Sequence, residues 1–202
     1  MKVSSARVCS DVRLMLNRDE RHQSLIDCAD IDTLTLDRMI HEAMPRAVTD
    51  VEMAAPVHLL EGGYLFAEGA DTFIEHTADK SLTVVTAMLP PDFLRLVSFR
   101  LSDWSRAVTS AIGADTQLAA MMQLPGASAL ADNNRPLAVT ERRGEALTLV
   151  TYSSSDATTA TVTEAVYRPR PEWDASDAIE VSRLLYDDAI AACASRCSSQ
   201  LS

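Results

Sequence analysis

The stretch Phe93-Leu94-Arg95-Leu96-Val97-Ser98-Phe99-Arg100-Leu101 decides the fold of the middle of this chain. From Val97 onward, apolar side chains alternate with the polar Ser98 and Arg100. A period of two is typical of a strand that buries one face and exposes the other. The stretch therefore predicts a half-buried β-strand from Phe93 to Leu101.

Further strands are predicted on both sides of this one. Short β-rich runs bounded by Gly, Pro, Asn and Ser continue from Val57 to Val166. The tetrapeptide Arg142-Arg143-Gly144-Glu145 predicts a hairpin turn with Gly144 at the position that needs a positive φ. The other candidate strands are Val57 to Leu60, Tyr64 to Ala67, Ser81 to Met88, Ala107 to Ala111, Leu137 to Arg142, Ala146 to Tyr152 and Thr158 to Tyr167.

Residues 115–135 interrupt the strand pattern. They contain Met121 and Met122, then Pro, Gly and Asn residues, and predict a long excursion with one helical turn near Thr116 to Gln123. An excursion of this length in a compact domain is usually functional or partly disordered.

Helical spacing predicts three helices outside this β-region. The first covers about residues 4 to 17 and the second about 35 to 54, with residues 19 to 32 between them as a polar loop. Pro45 predicts a kink in the second helix, because proline removes one backbone hydrogen bond. The last helix is predicted from about 176 to 197, after an extended Arg-Pro-Arg-Pro segment.

These elements predict an α+β fold with N-terminal helices, a central mainly antiparallel β-domain and a C-terminal helix. The predicted segments are 1–56, 57–168 with the excursion at 115–135, and 169–202. They are expected to form one compact unit, since 202 residues suffice for one core.

Composition restricts the classes of function. The net charge is −11, from 18 Lys and Arg against 29 Asp and Glu. This charge opposes the phosphate neutralisation on which nonspecific nucleic-acid binding depends. The sequence has no apolar run of about 18 residues and no apolar segment of a secretory signal, so no membrane partner is expected. The four cysteines are expected to be free thiols of a cytoplasmic chain.

Several motifs resemble sites but lack a necessary part. His41-Glu42 has no second histidine four residues on, so it does not form a zinc-protease helix. Ser153-Ser154-Ser155-Asp156 has no nearby histidine and predicts a polar hairpin tip. Gly62-Gly63 belongs to no nucleotide-binding pattern. Cys193 and Cys197 lack a second ligand pair and are expected to pack as small core residues. No catalytic, cofactor or metal site is predicted.

Candidate interface side chains lie on the two terminal helices and after the Phe93 strand. A stripe on an amphipathic helix must be covered by another surface. Trp104 is expected to be a core anchor whose N–H reaches a carbonyl, or, if it lies at the surface, an interface residue. The interface candidates are Val8, Val12, Leu16, Trp104, Val181, Leu184 and Leu185.

Five stretches of the sequence together resemble the pattern of a known family. They are Leu34 to Pro56, Leu89-Pro90-Pro91-Asp92-Phe93-Leu94-Arg95-Leu96-Val97, Ser102-Asp103-Trp104, Arg135-Pro136-Leu137-Ala138-Val139 and Ala165-Val166-Tyr167. In these stretches the chain resembles the head-to-tail adaptor, or ring, proteins of tailed bacteriophages, in the form found in phages and prophages of gut Bacteroides. The resemblance covers most of the chain, although Pro45 and the doubled proline at 90–91 depart from the pattern.

The resemblance implies a structural protein of the virion neck that assembles in the host cytoplasm. Twelve identical subunits would form a ring beneath the portal protein, contact neighbouring tail or ring proteins, and extend a channel through which DNA passes as cargo. The excursion at 115–135 is then expected to be exposed or to contact a neighbouring subunit, instead of filling the core of its own domain.

Two other classes of function fit the same residues. A cytosolic, non-catalytic protein-binding module would also lack catalytic motifs. An enzyme could assemble a site from loop residues that are far apart in the sequence.

Overall fold

A computed structural model describes residues 1–17, 30–66, 72–77, 82–122, 124, 131–153 and 160–201 of the chain. The fold is α+β, as predicted. It divides into unit 1, formed by Met1–Gly62 and Arg170–Ser202, and unit 2, formed by Gly63–Pro169. The two terminal segments, which the sequence analysis treated separately, therefore belong to the same unit.

The elements are numbered along the described residues. The helices are α1 Ser5–Asn17, α2 Asp30–Ala54, α3 Gln117–Met121 and α4 Tyr186–Leu201, with 3-10 turns at Val57–Leu59 and Arg183–Leu185. The strands are β1 Lys2–Ser4, β2 Tyr64–Leu65, β3 Thr72–Thr77, β4 Leu82–Met88, β5 Phe93–Leu101, β6 Ile112–Gly113, β7 Leu137–Arg143, β8 Ala146–Ser153, β9 Val162–Pro169 and β10 Ala178–Glu180.

Unit 1 is built from α1, α2 and α4, whose apolar faces share one buried cluster. The helical spacing predicts that Ile40, Ala43, Ala47 and Val51 of α2 form one packed face. The first three are buried and Val51 is partly buried. Cys193 and Cys197 of α4 are buried in the same cluster. The antiparallel pair β1 and β10 ties the two ends of the chain together beside these helices.

The helix α2 begins at Asp30, five residues earlier than predicted, and continues past Pro45 as one helix. The Thr49 hydroxyl donates a hydrogen bond of 2.8 Å to the Pro45 carbonyl. The predicted loop at 19–32 falls mostly on residues 18–29, which lie outside the described residues, and its last three residues are helical.

Unit 2 contains a three-stranded sheet in the order β2-β9-β5 and a five-stranded sheet in the order β3-β4-β8-β7-β6. Their pairings are antiparallel except the short parallel pair of β6 and β7. The strand at Phe93–Leu101 has the predicted bounds. Gly144 has φ 64° in the turn between β7 and β8, which confirms the predicted hairpin.

Two predicted strands are wrong, and the predicted C-terminal helix begins later than expected. Val57–Leu59 forms a 3-10 turn instead of a strand. In 107–111, Val108 makes an isolated bridge to Phe99 and the other residues form no strand. The last helix begins at Tyr186, not near 176, because Ala178–Glu180 pairs with β1. Strand pairing with a distant segment overrides the local helix signal here, which is the usual reason for such an error.

Candidate functional site

Six of the seven interface candidates lie in the interior of their own unit. Only Leu184 is exposed, at 60% of its surface. The other six, each at most 5% exposed, are Val8, Val12, Leu16, Trp104, Val181 and Leu185. The six buried side chains therefore pack in the core of their own unit, and Leu184 remains the exposed candidate.

The helices α1 and α4 explain this burial, because their stripes cover each other with the help of α2. The Tyr186 hydroxyl of α4 donates a hydrogen bond of 2.7 Å to Asp11 of α1. The Arg7 guanidinium lies 5.6 Å from the centre of the Tyr186 ring. The two terminal stripes are thus partners within unit 1.

Trp104 belongs to the core of unit 2, as the first of its two interpretations predicts. Its ring packs edge-on against Phe99, with 5.8 Å between the ring centres. Its indole N–H has no hydrogen-bond partner among the described residues, so the predicted bond to a carbonyl is wrong. Ser105, which follows it, donates its backbone N–H to the Asn133 carbonyl at 3.0 Å and links this turn to the end of the excursion.

The excursion starts with the short helix α3, which carries both buried and exposed apolar residues. The Thr116 hydroxyl caps the helix by accepting a hydrogen bond from the Ala119 N–H at 3.3 Å. Ala119 is buried, and so is Met122 directly after the helix. The α3 stripe is defined here as Leu118 and Met121 of the helix and Leu124 after it, which are 40%, 39% and 58% exposed.

The described part of the excursion contributes to the interior of unit 2. Met122 and Ala131 form a small buried cluster with the partly buried Leu137 and Tyr152. This corrects the expectation that the excursion does not fill its own domain. Residues 123 and 125–130 of the excursion lie outside the described residues. The exposed stripe was visible in the sequence as apolar residues three apart, but only the structure shows which side is covered.

A second exposed apolar surface is the β2 edge, defined here as Tyr64 and Leu65. The strand β2 lies at the end of the three-stranded sheet, paired with β9 on one side. Successive residues of a strand point to opposite faces of a sheet. Both residues are nevertheless exposed, Tyr64 at 47% and Leu65 at 69%. The sequence predicted a strand here but carried no signal that it lies at an edge.

Unit 1 contains a groove of about 620 Å³ between α1 and α2. Cys9 lines it, and burial, followed by the charge of Asp37, raises the pKa of this thiol to about 11. A protonated thiol is a poor nucleophile and a poor metal ligand at neutral pH. His41, also at the groove, stacks on Trp173 at 4.5 Å and lies 3.1 Å from Asp177. The Cys9 thiol of this groove is therefore not an activated nucleophile.

Cys193 and Cys197 are the other cysteines among the described residues, and the hydrogen bond from Cys193 lowers the pKa of Cys197. A hydrogen bond to Cys197, together with burial, raises the pKa of Cys193. Both side chains are fully buried in the helical core, as expected for small packing residues. Within the described ranges, no three His, Cys, Asp or Glu side chains form a group that could hold a metal ion.

The helices and the similarity of the chain to known proteins were also considered. None of the helices in the described part of the chain is long and apolar enough to cross a membrane. Comparison of the chain with protein-family models, with curated proteins and with solved structures gave no match.

Proposed function

We propose that this chain is a structural virion protein that forms the head-to-tail adaptor ring beneath the portal of a tailed bacteriophage. The proposal rests on the resemblance of its motifs to that family. The one observation of the structure that supports it best is the α3 stripe, an exposed apolar row on the excursion that was expected to contact a neighbour.

The physical argument concerns the exposed residues of α3. A surface helix normally turns charged or polar residues toward water, whereas a helix with apolar residues all round is covered on every side. Leu118 and Met121 of α3 are exposed, whereas Ala119 of the same helix is buried. A further protein surface that covers them would remove this apolar area from water, which stabilises the association.

The charge of the chain suits a protein that borders a DNA channel. A net charge of −11 repels phosphates, so DNA that passes through the ring would not adhere to it. In this proposal the partners are identical copies, twelve in a ring, the portal protein above and a tail or ring protein below. DNA is cargo only.

The test is cryo-electron microscopy of the intact particle. We expect density for this chain at the portal vertex, as a closed ring of side-by-side copies. The proposal fails if the chain is absent from the vertex or is present there as isolated copies. If light scattering shows a monomer that binds neither portal protein nor any other virion component, the cytosolic binding module is favoured instead.

A pair of methionine substitutions tests the supporting observation. Met121→Lys places a charge in the α3 stripe, whereas Met53→Lys changes a methionine of α2 that is 50% exposed. We expect Met121→Lys to reduce incorporation into portal complexes by about tenfold or more, since burying an unpaired charge costs well over about 1.4 kcal/mol. Met53→Lys should incorporate normally. Equal incorporation of both variants in quantitative pull-downs would show that the α3 stripe does not contact the portal complex.

A further inference from the structure

We draw no further inference here: the strongest candidate, the side-chain cluster of Asp103 in the turn after β5 and Asn133 in the loop before β7, each with one buried oxygen that has no hydrogen-bond partner among the described residues, supplies only two ligand oxygens from partly exposed residues, and nothing in the structure shows what they would bind.

Discussion

Glu52 places a carboxylate in the interior of unit 1, where only 1% of its surface is exposed. One of its oxygens accepts hydrogen bonds from the backbone N–H of Ser182 at 3.0 Å and from the Ser182 hydroxyl at 2.9 Å. Ser182 precedes the 3-10 turn that leads into α4. The carboxylate of α2 therefore satisfies two buried donors at the start of the last helical segment, where a negative charge is also favourable.

Substitution of Glu52 by alanine should destabilise unit 1 strongly. Two buried donors would lose their acceptor, and we expect the free energy of unfolding to fall by about 3 kcal/mol. Glu42→Ala is the matched control on the same helix, because its ion pair with Arg38 is exposed and should contribute below about 0.5 kcal/mol. Urea unfolding followed by circular dichroism measures both. Equal losses in the two variants would contradict the role of Glu52.

Asp177 makes the stability of unit 1 depend on pH. It is the one non-glycine residue in the described part of the chain with a positive φ, 55°. Hydrogen bonds from Ser5 and then from His41 lower the pKa of its carboxyl group below the ordinary value of 3.8. A carboxyl group whose pKa is lowered by folding binds protons more tightly in the unfolded chain. Its contribution is therefore complete above pH about 4 and is lost as the pH falls below that value.

Asp177→Asn tests this dependence, since asparagine tolerates a positive φ but cannot ionise. We expect the wild type to lose more stability than the variant between pH 5 and pH 3 in urea unfolding. A loss of equal size in both proteins would show that other carboxyl groups cause the acid sensitivity.

At the scale of elements, β2 depends on how closely its start approaches β9. A side chain at Gly63, which has φ 154°, would place its Cβ 2.5 Å from a methyl group of Val166 and 3.1 Å from the Tyr167 carbonyl oxygen. Gly144, in the turn between β7 and β8, has φ 64° and open space around it. At Gly63 a side chain would clash with β9 and would also have to adopt a positive φ. At Gly144 only the positive φ disfavours a side chain.

The two glycines predict different costs for the same substitution. Gly144→Ala should lower the free energy of unfolding by about 1 kcal/mol, because a residue with a Cβ disfavours the left-handed conformation. Gly63→Ala should cost at least about 1 kcal/mol more, because the added methyl group also displaces its neighbours. Thermal unfolding of both variants checks the order. If Gly144→Ala is the more damaging, the close approach of β2 and β9 does not limit stability.

The elements also show what a sequence can predict and what it cannot. Phe93–Leu101 was found with its bounds, but its burial departs from strict alternation, because Ser98 is buried beside Phe99 and register shifts interrupt the pairing with β9. The strands β1 and β10 were missed because each has three residues and forms only by pairing with the other, more than 170 positions away. For the candidate site, the spacing of the α3 stripe was readable, but exposure depends on tertiary packing and could not be inferred from spacing.

At the scale of the whole molecule, the two units have separate buried clusters. Each unit also contains one of the two tryptophans of the chain. Trp104 is buried in the cluster of unit 2, and Trp173 packs against the cluster of unit 1 and donates its indole N–H to the His41 carbonyl at 2.8 Å. Their fluorescence therefore reports on the two units separately.

Single-tryptophan proteins should show independent responses to damage in one unit. In Trp104→Phe the remaining fluorescence comes from unit 1, and we expect Glu52→Ala to lower its urea midpoint. In Trp173→Phe the signal comes from unit 2, and Glu52→Ala should leave its midpoint unchanged, because Glu52 contributes nothing to that core. Equal shifts of both midpoints would show that the chain unfolds as one cooperative body.

The construction of unit 1 from both ends of the chain has a consequence for the order of events on the ribosome. The helices α1 and α2 are synthesised first, but α4, which covers them, follows about 120 residues after the last residue of the first segment. At roughly 10 residues per second this is a delay of about 12 s. During that interval all of Gly63–Pro169 is synthesised and can fold. Val8, Val12 and Ile40 are not yet covered by α4, because α4 has not been synthesised. A nascent chain that stalls before Tyr186 would thus display a finished unit 2 beside uncovered helices, the form that chaperones and proteases recognise.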